Sequence, residues 1–156
     1  MDRFGVAAER AELDGPEGTT LPGLVLWGGD PRRRIELMLD DEAPADRIAG
    51  WRIAEGSGWS FADLRIGDPL ERITAINGAP FRFYGFAWDY GGYVTDWKGG
   101  KLDKPAGGCG LSVRLSPLSE NLPNSVMGED EISSDSPAVV KVGASVAEIS
   151  VGFGGG

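Results

Sequence analysis

Hydrophobic and polar residues alternate with period two along several stretches of the chain, a pattern typical of β-strands with one apolar face. Residues 24–27 form an apolar run of strand character, and the other predicted strands cover 35–39, 50–54, 111–115 and 147–153. The turn sequence Gly28-Gly29-Asp30-Pro31 separates the first two runs, so these are predicted to form a hairpin. The pattern as a whole predicts antiparallel strands joined by glycine-rich turns.

Two segments have helical rather than strand character. Residues 3–13 predict a short helix with alanines along one side. The stronger signal begins at Asp68-Pro69-Leu70-Glu71, where Asp68 is expected as the N-cap and Pro69 as the first helical residue. Leu70, Ile73 and Ile76 would line its buried face, and Asn77-Gly78 would end it.

Together these elements predict an α+β fold in which short helices pack on a curved antiparallel β-sheet. We expect a single domain spanning residues 1–156, because 156 residues with 41% hydrophobic composition suffice for one compact core. Residues 3–39 and 68–115 share an order of helix, break and antiparallel strands. This shared order suggests an internal pseudo-repeat of two tandem helix-plus-meander units.

Residues 81–100, here called the aromatic segment, contain eight of the fourteen aromatic residues and all three tyrosines. Aromatic side chains follow period two on both sides of Gly91-Gly92, which predicts a hairpin with a two-residue turn at these glycines. In that register Tyr90 would face Tyr93, Trp88 would face Thr95 and Phe86 would face Trp97. Asp89 and Asp96 would lie on the opposite side.

The aromatic face of this hairpin has two interpretations. Charged groups belong in water, so Asp89 and Asp96 on the other side favour a buried core made by the aromatic face. Alternatively, exposed members of the hairpin form a binding surface, since aromatic side chains are enriched at interface hot spots. The candidate binding residues are Tyr84, Trp88, Asp89, Tyr90, Tyr93, Asp96 and Trp97.

Composition narrows the chemistry that the chain can perform. The formal net charge of −9 argues against a nucleic-acid partner, which would require clustered cations. The sequence contains no histidine and a single cysteine, Cys109, which excludes histidine-based catalysis and an intrachain disulfide. The acidic stretch 128–135 lacks the spacing of a calcium-binding EF-hand loop and is expected to belong to a long surface loop covering 116–137. We therefore predict no catalytic residue, no metal site and no cofactor.

The chain contains no apolar run close to the roughly 20 residues of a membrane-spanning helix. Its first residues, Met1 to Phe4, lack the basic start and apolar centre of a signal peptide, so a cytoplasmic location stays open.

Two stretches resemble known families. The stretch from Gly67 through Ile73 to Pro80 resembles the opening of small cell-envelope domains similar to β-lactamase inhibitory protein and to outer-membrane assembly lipoproteins. The longer string NGAPFRFYGFAWDYGGYVTDWKGGKL resembles a family of small bacterial, exported proteins that share a G-F-x-W-D-Y-G-G core. The first resemblance implies a helix on a curved antiparallel sheet, with protein recognition through an aromatic-bearing sheet face. Both imply a periplasmic or cell-envelope location.

The leading functional hypothesis is therefore a non-catalytic binding or structural module of the bacterial cell envelope that recognises a protein partner. A second hypothesis is binding of carbohydrate or peptidoglycan, or its hydrolysis, through the Trp, Tyr and Asp residues of 81–103, because two carboxylates suffice for glycoside hydrolysis. A third is an immunity or enzyme-inhibitor protein, since an acidic surface attracts basic enzymes.

Overall fold

The computed structural model describes residues 8–40, 42, 47–105 and 109–153, without the side chain of Pro16. Within these residues there are two helices, α1 (Leu70–Asn77) and α2 (Pro137–Val142). The strands are β1 (Ala8–Asp14), β2 (Thr20–Leu26), β3 (Ile35–Leu39), β4 (Ile48–Ala54), β5 (Ser60–Phe61), β6 (Leu64–Arg65), β7 (Arg82–Tyr84), β8 (Val94–Asp96), β9 (Gly110–Pro117), β10 (Glu131–Ser133) and β11 (Ala144–Gly152).

These strands form antiparallel sheets. The largest has six strands in the order β1-β2-β3-β4-β11-β9, and a second has three in the order β10-β7-β8. β5 and β6 pair as a small separate hairpin. The predicted α+β class with antiparallel sheets is thus confirmed, as is the hairpin predicted for residues 24–39. Neither helix in the described part of the chain has the length and apolar character needed to cross a bilayer.

The six-stranded sheet has two unlike faces, because side chains alternate along each strand. Ile53, Ile149 and Val113 are register partners on β4, β11 and β9, and all three are buried. We call their side the core face. Arg52 lies between Trp51 and Ile53 and so points to the opposite side, which we call the outer face.

The hydrophobic core lies on the core face and joins the helices, the sheet and part of the aromatic segment. α1 contributes Leu70 and Ile73, whose spacing puts both on one side of the helix. The aromatic segment adds Phe81, Phe83, Phe86 and Trp97, all of them buried. Phe81 contacts both Phe83 and Trp97, with ring centroids 6.2 Å and 5.1 Å apart.

The helix predicted for residues 3–13 is wrong over its described part, since residues 8–14 form β1. This strand pairs with β2 along its whole length, from Ala8 opposite Leu26 to Asp14 opposite Thr20, and it buries Leu13. Sheet pairing therefore overrides the helical propensity of its alanines and glutamates. The proposed pseudo-repeat of residues 3–39 and 68–115 required each unit to begin with a helix. Residues 8–14 of the first unit form a strand instead, so this order of elements is not found there. Residues 3–7 lie outside the described chain, and the single-domain assignment stays a prediction.

α1 ends as predicted, with Gly78 in a left-handed conformation and its amide bound to the carbonyl oxygen of Thr74. Its start differs from the prediction, because Pro69 rather than Asp68 is the N-cap residue and no side chain caps the helix. The Asp68 carboxylate instead accepts the amide of Arg65 at 2.8 Å, while the Asp68 carbonyl accepts the amide of Val146 at 2.9 Å. Asp68 thus ties the turn before the helix to β11.

The predicted register of the aromatic hairpin is wrong. β7 and β8 do pair, but Arg82 lies opposite Asp96, and residues 85–93 form a long loop between the two strands. After Tyr84 the backbone turns away to pair with residues 126–130, where the amide of Phe86 bonds the carbonyl of Val126 at 2.7 Å. This change of partner at Gly85 shifts the alternation, so that Phe81, Phe83 and Phe86 are all buried. Within the aromatic segment, the two consecutive residues with positive φ angles are Lys98 and Gly99, whereas at Gly91-Gly92 only Gly92 has a positive φ.

Two C-terminal regions also differ from expectation. The segment 116–137 is more than a surface loop, because it contains β10, a single helical turn at Asn124–Val126 and the first residue of α2, and it buries Val126 and Ser134. In β11 a bulge between Val146 and Glu148 puts Val146 and Ile149 on the same buried side, so strict alternation fails there. Phe153 is exposed rather than part of the buried row.

Candidate functional site

A cavity of about 480 Å³ lies on the outer face of the six-stranded sheet, where the loop of the aromatic segment meets the strands. We call it the acidic pocket. Its floor comes from β3, β4, β9 and β11, one wall from the turn after β1 and the other from the aromatic segment. The lining residues are Asp14, Gly15, Glu17, Gly18, Leu21, Glu36, Arg52, Ala54, Trp88, Asp89, Tyr93, Arg114 and Glu148.

The charged floor follows from strand register. Glu36 on β3 lies opposite Arg52 on β4, and Glu148 on β11 lies opposite Arg114 on β9. Arg52 donates to the Glu36 carboxylate at 2.7 Å through Nε and to the carbonyl oxygen of Asp14 at 2.8 Å through Nη1. Arg34 binds the other Glu36 oxygen at 3.0 Å. Glu36 is therefore clamped between two guanidinium groups, which fixes the floor of the pocket.

The two arginines determine the ionisation of Glu36. Burial by itself would raise the pKa of this carboxyl, because it disfavours the charged form. The hydrogen bonds from Arg34 and Arg52, together with their charges, outweigh burial, and the pKa of Glu36 lies below its ordinary value. Glu36 is accordingly a carboxylate at neutral pH.

The aromatic wall is fixed to the edge of the sheet at β9. The amide of Leu115 bonds the carbonyl oxygen of Gly92 at 2.8 Å, and Tyr93 forms a β-bridge with Arg114. Gly92 has a φ of +84°, and a Cβ there would collide with the backbone oxygen of Leu115, so this approach requires glycine. The Arg114 guanidinium lies 5.1 Å from the centre of the Tyr93 ring and donates to the carbonyl oxygen of Gly91 at 3.1 Å.

Tyr93 brings its hydroxyl to the charged floor, where Glu148 also lines the pocket and affects the ionisation of this hydroxyl. Burial is the main cause that raises the pKa of the Tyr93 hydroxyl, and the negative charge of Glu148 adds to it. The positive charges of Arg114 and Arg52 oppose the shift without cancelling it. The hydroxyl thus stays protonated at neutral pH and can serve as a donor to the Glu148 carboxylate.

Four aromatic rings form a row along this wall, and two of them, Trp88 and Tyr93, line the pocket. Trp88 contacts Tyr84 and Tyr90 edge-on, with ring centroids 5.3 Å and 5.5 Å apart, and Tyr90 lies 6.5 Å from Tyr93. The indole N–H of Trp88 donates to the carbonyl oxygen of Gly85 at 2.9 Å, which fixes its orientation. All four rings are half-buried. The row is therefore neither core nor free surface.

The structure separates the seven candidate residues into two places. Trp88, Asp89 and Tyr93 line the acidic pocket, and Tyr84 and Tyr90 stand beside them through ring contacts. Asp96 is exposed outside the pocket, 3.8 Å from the Lys98 ammonium, and Trp97 is buried. Asp89 and Asp96 therefore do not share one cavity as a carboxylate pair. Whether any of the seven binds a partner stays a prediction.

The core interpretation of the aromatic face holds for part of it. Phe86 and Trp97 are buried, as a core would require. Trp88, Tyr90 and Tyr93 are only half-buried. The same predicted face thus contributes to the core with one part and to the pocket with the other.

Sequence reasoning missed the four charged residues of the pocket floor, Glu36, Arg52, Arg114 and Glu148. Each stands between apolar neighbours on a predicted strand, for example Arg114 between Val113 and Leu115. This alternation was the available signal, since it puts each charged residue on the face opposite the apolar row. What it could not supply was the strand order, which brings β3, β4, β11 and β9 side by side.

The charges of the pocket are unequally satisfied. Both of its guanidinium groups are engaged, Arg52 by Glu36 and Asp14, and Arg114 by Gly91 and Tyr93. Among the described residues, four carboxylates of the pocket form no ion pair, namely those of Asp14, Glu17, Asp89 and Glu148. The pocket consequently has a surplus of negative charge beside an aromatic wall.

Other possible sites have weaker support. A larger cavity of about 860 Å³ lies between residues 119–125 and α2, and its lining contains one carboxylate, one ammonium group and no aromatic ring. No three His, Cys, Asp or Glu side chains in the described part of the chain are grouped so that they could hold a metal ion. The acidic pocket is therefore the best-defined candidate.

Comparison of the chain with protein-family models, with curated proteins and with solved structures gave no significant match. The two resemblances described for residues 67–80 and for the WDYGG string accordingly stay predictions.

Proposed function

We infer that the protein is a non-catalytic binding module that recognises a basic protein partner by taking a lysine or arginine side chain into the acidic pocket. The observation that carries this proposal is the pocket's unequal charge: four carboxylates without an ion pair lie beside two arginines that are already engaged. A ligand cation would pair with the unpaired carboxylates. A ligand anion would have to displace the existing partners of Arg52 or Arg114.

The aromatic wall supports the same ligand chemistry. A cation near the face of Trp or Tyr is attracted by the ring, with an energy of roughly 0.5–2 kcal/mol depending on desolvation. Trp88 and Tyr93 border the pocket, and Asp89 follows Trp88 directly in the chain. An aliphatic stem ending in a cation would therefore contact rings along its length and a carboxylate at its end.

The overall charge of the chain acts at longer range. A net charge of −9 attracts a basic partner and raises its association rate, an effect that falls with ionic strength. This behaviour suits the immunity or inhibitor alternative, in which the partner would be a basic enzyme. A location in the bacterial cell envelope belongs to the same proposal and rests on the resemblances. The two bulges in the six-stranded sheet, at Met38/Leu39 and Val146/Glu148, support the curved sheet that those resemblances implied.

A second candidate function is binding of a glycan in the same pocket. The observation that favours it is the pairing of Trp88 and Tyr93 with Asp89 on one cavity wall, because a sugar ring can stack on an aromatic face while carboxylates accept its hydroxyl hydrogens. This candidate differs from the first in requiring no positive charge on the ligand.

The proposal is tested by titrating the whole chain with capped tripeptides and recording two-dimensional NMR spectra. The peptides are acetylated and amidated Gly-Lys-Gly and Gly-Arg-Gly, with Gly-norleucine-Gly as an uncharged match and chitin oligosaccharides for the glycan alternative. We expect the cationic peptides to shift the indole N–H signal of Trp88 and the amides around Tyr93. Binding should weaken with added salt.

Two matched variants identify the carboxylate responsible. Asp89→Asn should weaken binding of the cationic peptides, because it removes an unpaired charge from the pocket wall. Asp96→Asn makes the same change outside the pocket and should leave binding unchanged. Equal responses to norleucine and lysine peptides, or an equal effect of both variants, would reject the proposal. Saturable shifts at Trp88 with the oligosaccharides alone would favour the glycan instead.

A further inference from the structure

A second surface, unconnected with the acidic pocket, lies on the core face of the six-stranded sheet at β2 and β3. The core covers β4, β11 and β9 on this face, but the apolar rows of β2 and β3 extend beyond it. Leu24, Leu37 and Trp51 are register partners, as are Leu26 and Ile35, and all five are only half-buried. The core face is therefore still apolar at β2 and β3, where the hydrophobic core no longer covers it.

This surface contains a groove of about 230 Å³, here called the apolar groove. It is lined by Leu26, Ile35, Leu37, Trp51, Ile53, Trp59 and Ser60. Trp59 forms its outer wall and is 39% exposed. Its indole N–H donates to the carbonyl oxygen of Arg33 at 2.8 Å, and its ring lies 5.9 Å from Trp27. The wall is therefore fixed in place although it faces solvent.

The turn that holds this wall is strained. Trp27 has a φ of +52°, a left-handed conformation that costs a residue other than glycine roughly 1–2 kcal/mol. Such conformations persist where surrounding contacts enforce them, and they occur often at ligand sites. Here the contacts are the ring of Trp59 on one side and the Arg33 guanidinium, 5.6 Å from the Trp27 ring, on the other.

Charge at the mouth of the groove indicates the kind of occupant. Arg32 to Arg34 form the one run of three cations in a chain with a net charge of −9. Arg34 binds Glu36 and Arg33 binds Asp30, while Arg32 forms no ion pair with a described residue. The Arg32 guanidinium lies beside Gly58, which directly precedes Trp59, so its charge is at the edge of the groove.

We propose that the apolar groove docks an acidic protein segment by taking one large apolar side chain between Trp59, Leu37 and Trp51, with a neighbouring carboxylate of the segment on Arg32. The lining is almost entirely apolar, which suits a hydrocarbon side chain better than a sugar. The groove and the acidic pocket take alternate residues of β3 and β4 and so lie on opposite faces of the sheet, and this proposal does not depend on the one for the pocket.

The experiment follows the tryptophan indole signals by NMR during titration with capped peptides. The probes are acetylated, amidated Gly-Glu-Leu-Glu-Gly, its lysine counterpart Gly-Lys-Leu-Lys-Gly and its alanine counterpart Gly-Glu-Ala-Glu-Gly. The first peptide should shift the Trp59 and Trp51 signals. The lysine peptide should bind about threefold more weakly, as expected for an exposed charge contact. The alanine peptide should bind about tenfold more weakly, because it buries less apolar area.

Two variants locate the contact. Arg32→Glu should reverse the preference between the glutamate and lysine peptides, whereas Lys101→Glu, the same charge reversal at an exposed residue away from the groove, should not. Trp59→Ala should weaken the glutamate peptide about fivefold, with backbone amide spectra confirming the fold. Equal binding of the glutamate and lysine peptides, or shifts confined to Trp88, would overturn the proposal. So would binding of phosphatidylglycerol vesicles without the peptides, or a stable dimer in sedimentation that buries the groove.

Discussion

The aromatic segment divides into two parts that share a sequence pattern but differ in the burial of their rings and in the pairing of their backbone. Its core half consists of Phe81, Phe83, Phe86 and Trp97, which are buried against α1 and the sheet. Its rim half consists of residues 88–93, whose three rings are half-buried, and two of these, Trp88 and Tyr93, line the acidic pocket. The same segment thus packs on the core face of the six-stranded sheet and also borders the pocket on its outer face.

Whether an aromatic ring of this segment is buried depends on the hydrogen-bond partners of its backbone rather than on the type of side chain. The core half is held by strand pairing, β7 with β8 and with β10. The rim half lies in the loop between β7 and β8, and its backbone bonds Tyr84 on one side and Leu115 of β9 on the other through Gly92. Aromatic residues in the first setting determine stability. In the second setting they contribute less to stability, and our proposal assigns them to recognition.

The largest expected effect separates the two halves by stability. Phe83→Ala removes a fully buried ring and should lower the free energy of unfolding by about 3–5 kcal/mol. Trp88→Ala, the matched change in the rim half, should cost roughly 1–2 kcal/mol, because part of its ring is already in contact with water. Chemical denaturation followed by far-UV circular dichroism measures both. Equal losses would show that the two halves do not differ in the way described.

The next prediction concerns the backbone contact that holds the rim half. Gly92→Ala should destabilise the protein by roughly 2–4 kcal/mol, since the new Cβ meets the Leu115 carbonyl and the φ of +84° is unfavourable for alanine. Gly99→Ala is the control, because Gly99 has a φ of +74° with open space around its Cβ position. It should cost only about 1–2 kcal/mol. If both variants lose the same stability in thermal melts, the contact at β9 contributes nothing.

The pattern of residues could predict much of the fold. Alternation located β2, β3, β4 and β9, and the Asn77-Gly78 stop located the end of α1, because these features depend on near neighbours in sequence. The pairing of the aromatic segment could not be predicted in this way. Its residues 82–86 pair with residues 126–133, which are 40 to 51 positions away in the sequence. The change of partner at Gly85 cannot be recognised from the neighbouring residues.

The candidate site was predictable only on one wall. Trp88, Asp89 and Tyr93 stand out by composition, and they do line the pocket. Glu36 and Arg52 lie sixteen residues apart on strands that were predicted, yet their ion pair depends on the register of β3 with β4. The bulge at Met38/Leu39 lies close to that pair. Sequence periodicity specifies the face of each side chain but not its neighbour across the sheet.

The smallest expected effect tests whether the pocket floor responds to charge while the core half does not. The pKa of Glu36 is lowered in the folded protein, so its carboxylate stabilises the fold above the ordinary pKa of 4.5, and this contribution is lost as the pH falls through the lowered value. Glu36→Gln should therefore lower the free energy of unfolding by roughly 1–3 kcal/mol at pH 7, which is the scale of hydrogen bonds to charged groups. The difference from the wild type should shrink in acid.

Two variants serve as controls. Glu131→Gln alters an exposed pair with Arg82 and should change the free energy of unfolding little at either pH. Phe83→Ala should lower the free energy of unfolding by the same amount at both pH values, because it removes no charge. Urea unfolding at pH 7 and pH 3.5 distinguishes these outcomes. If the effect of Glu36→Gln were the same at both pH values, Arg34 and Arg52 would stabilise the fold through packing rather than through the charge of Glu36.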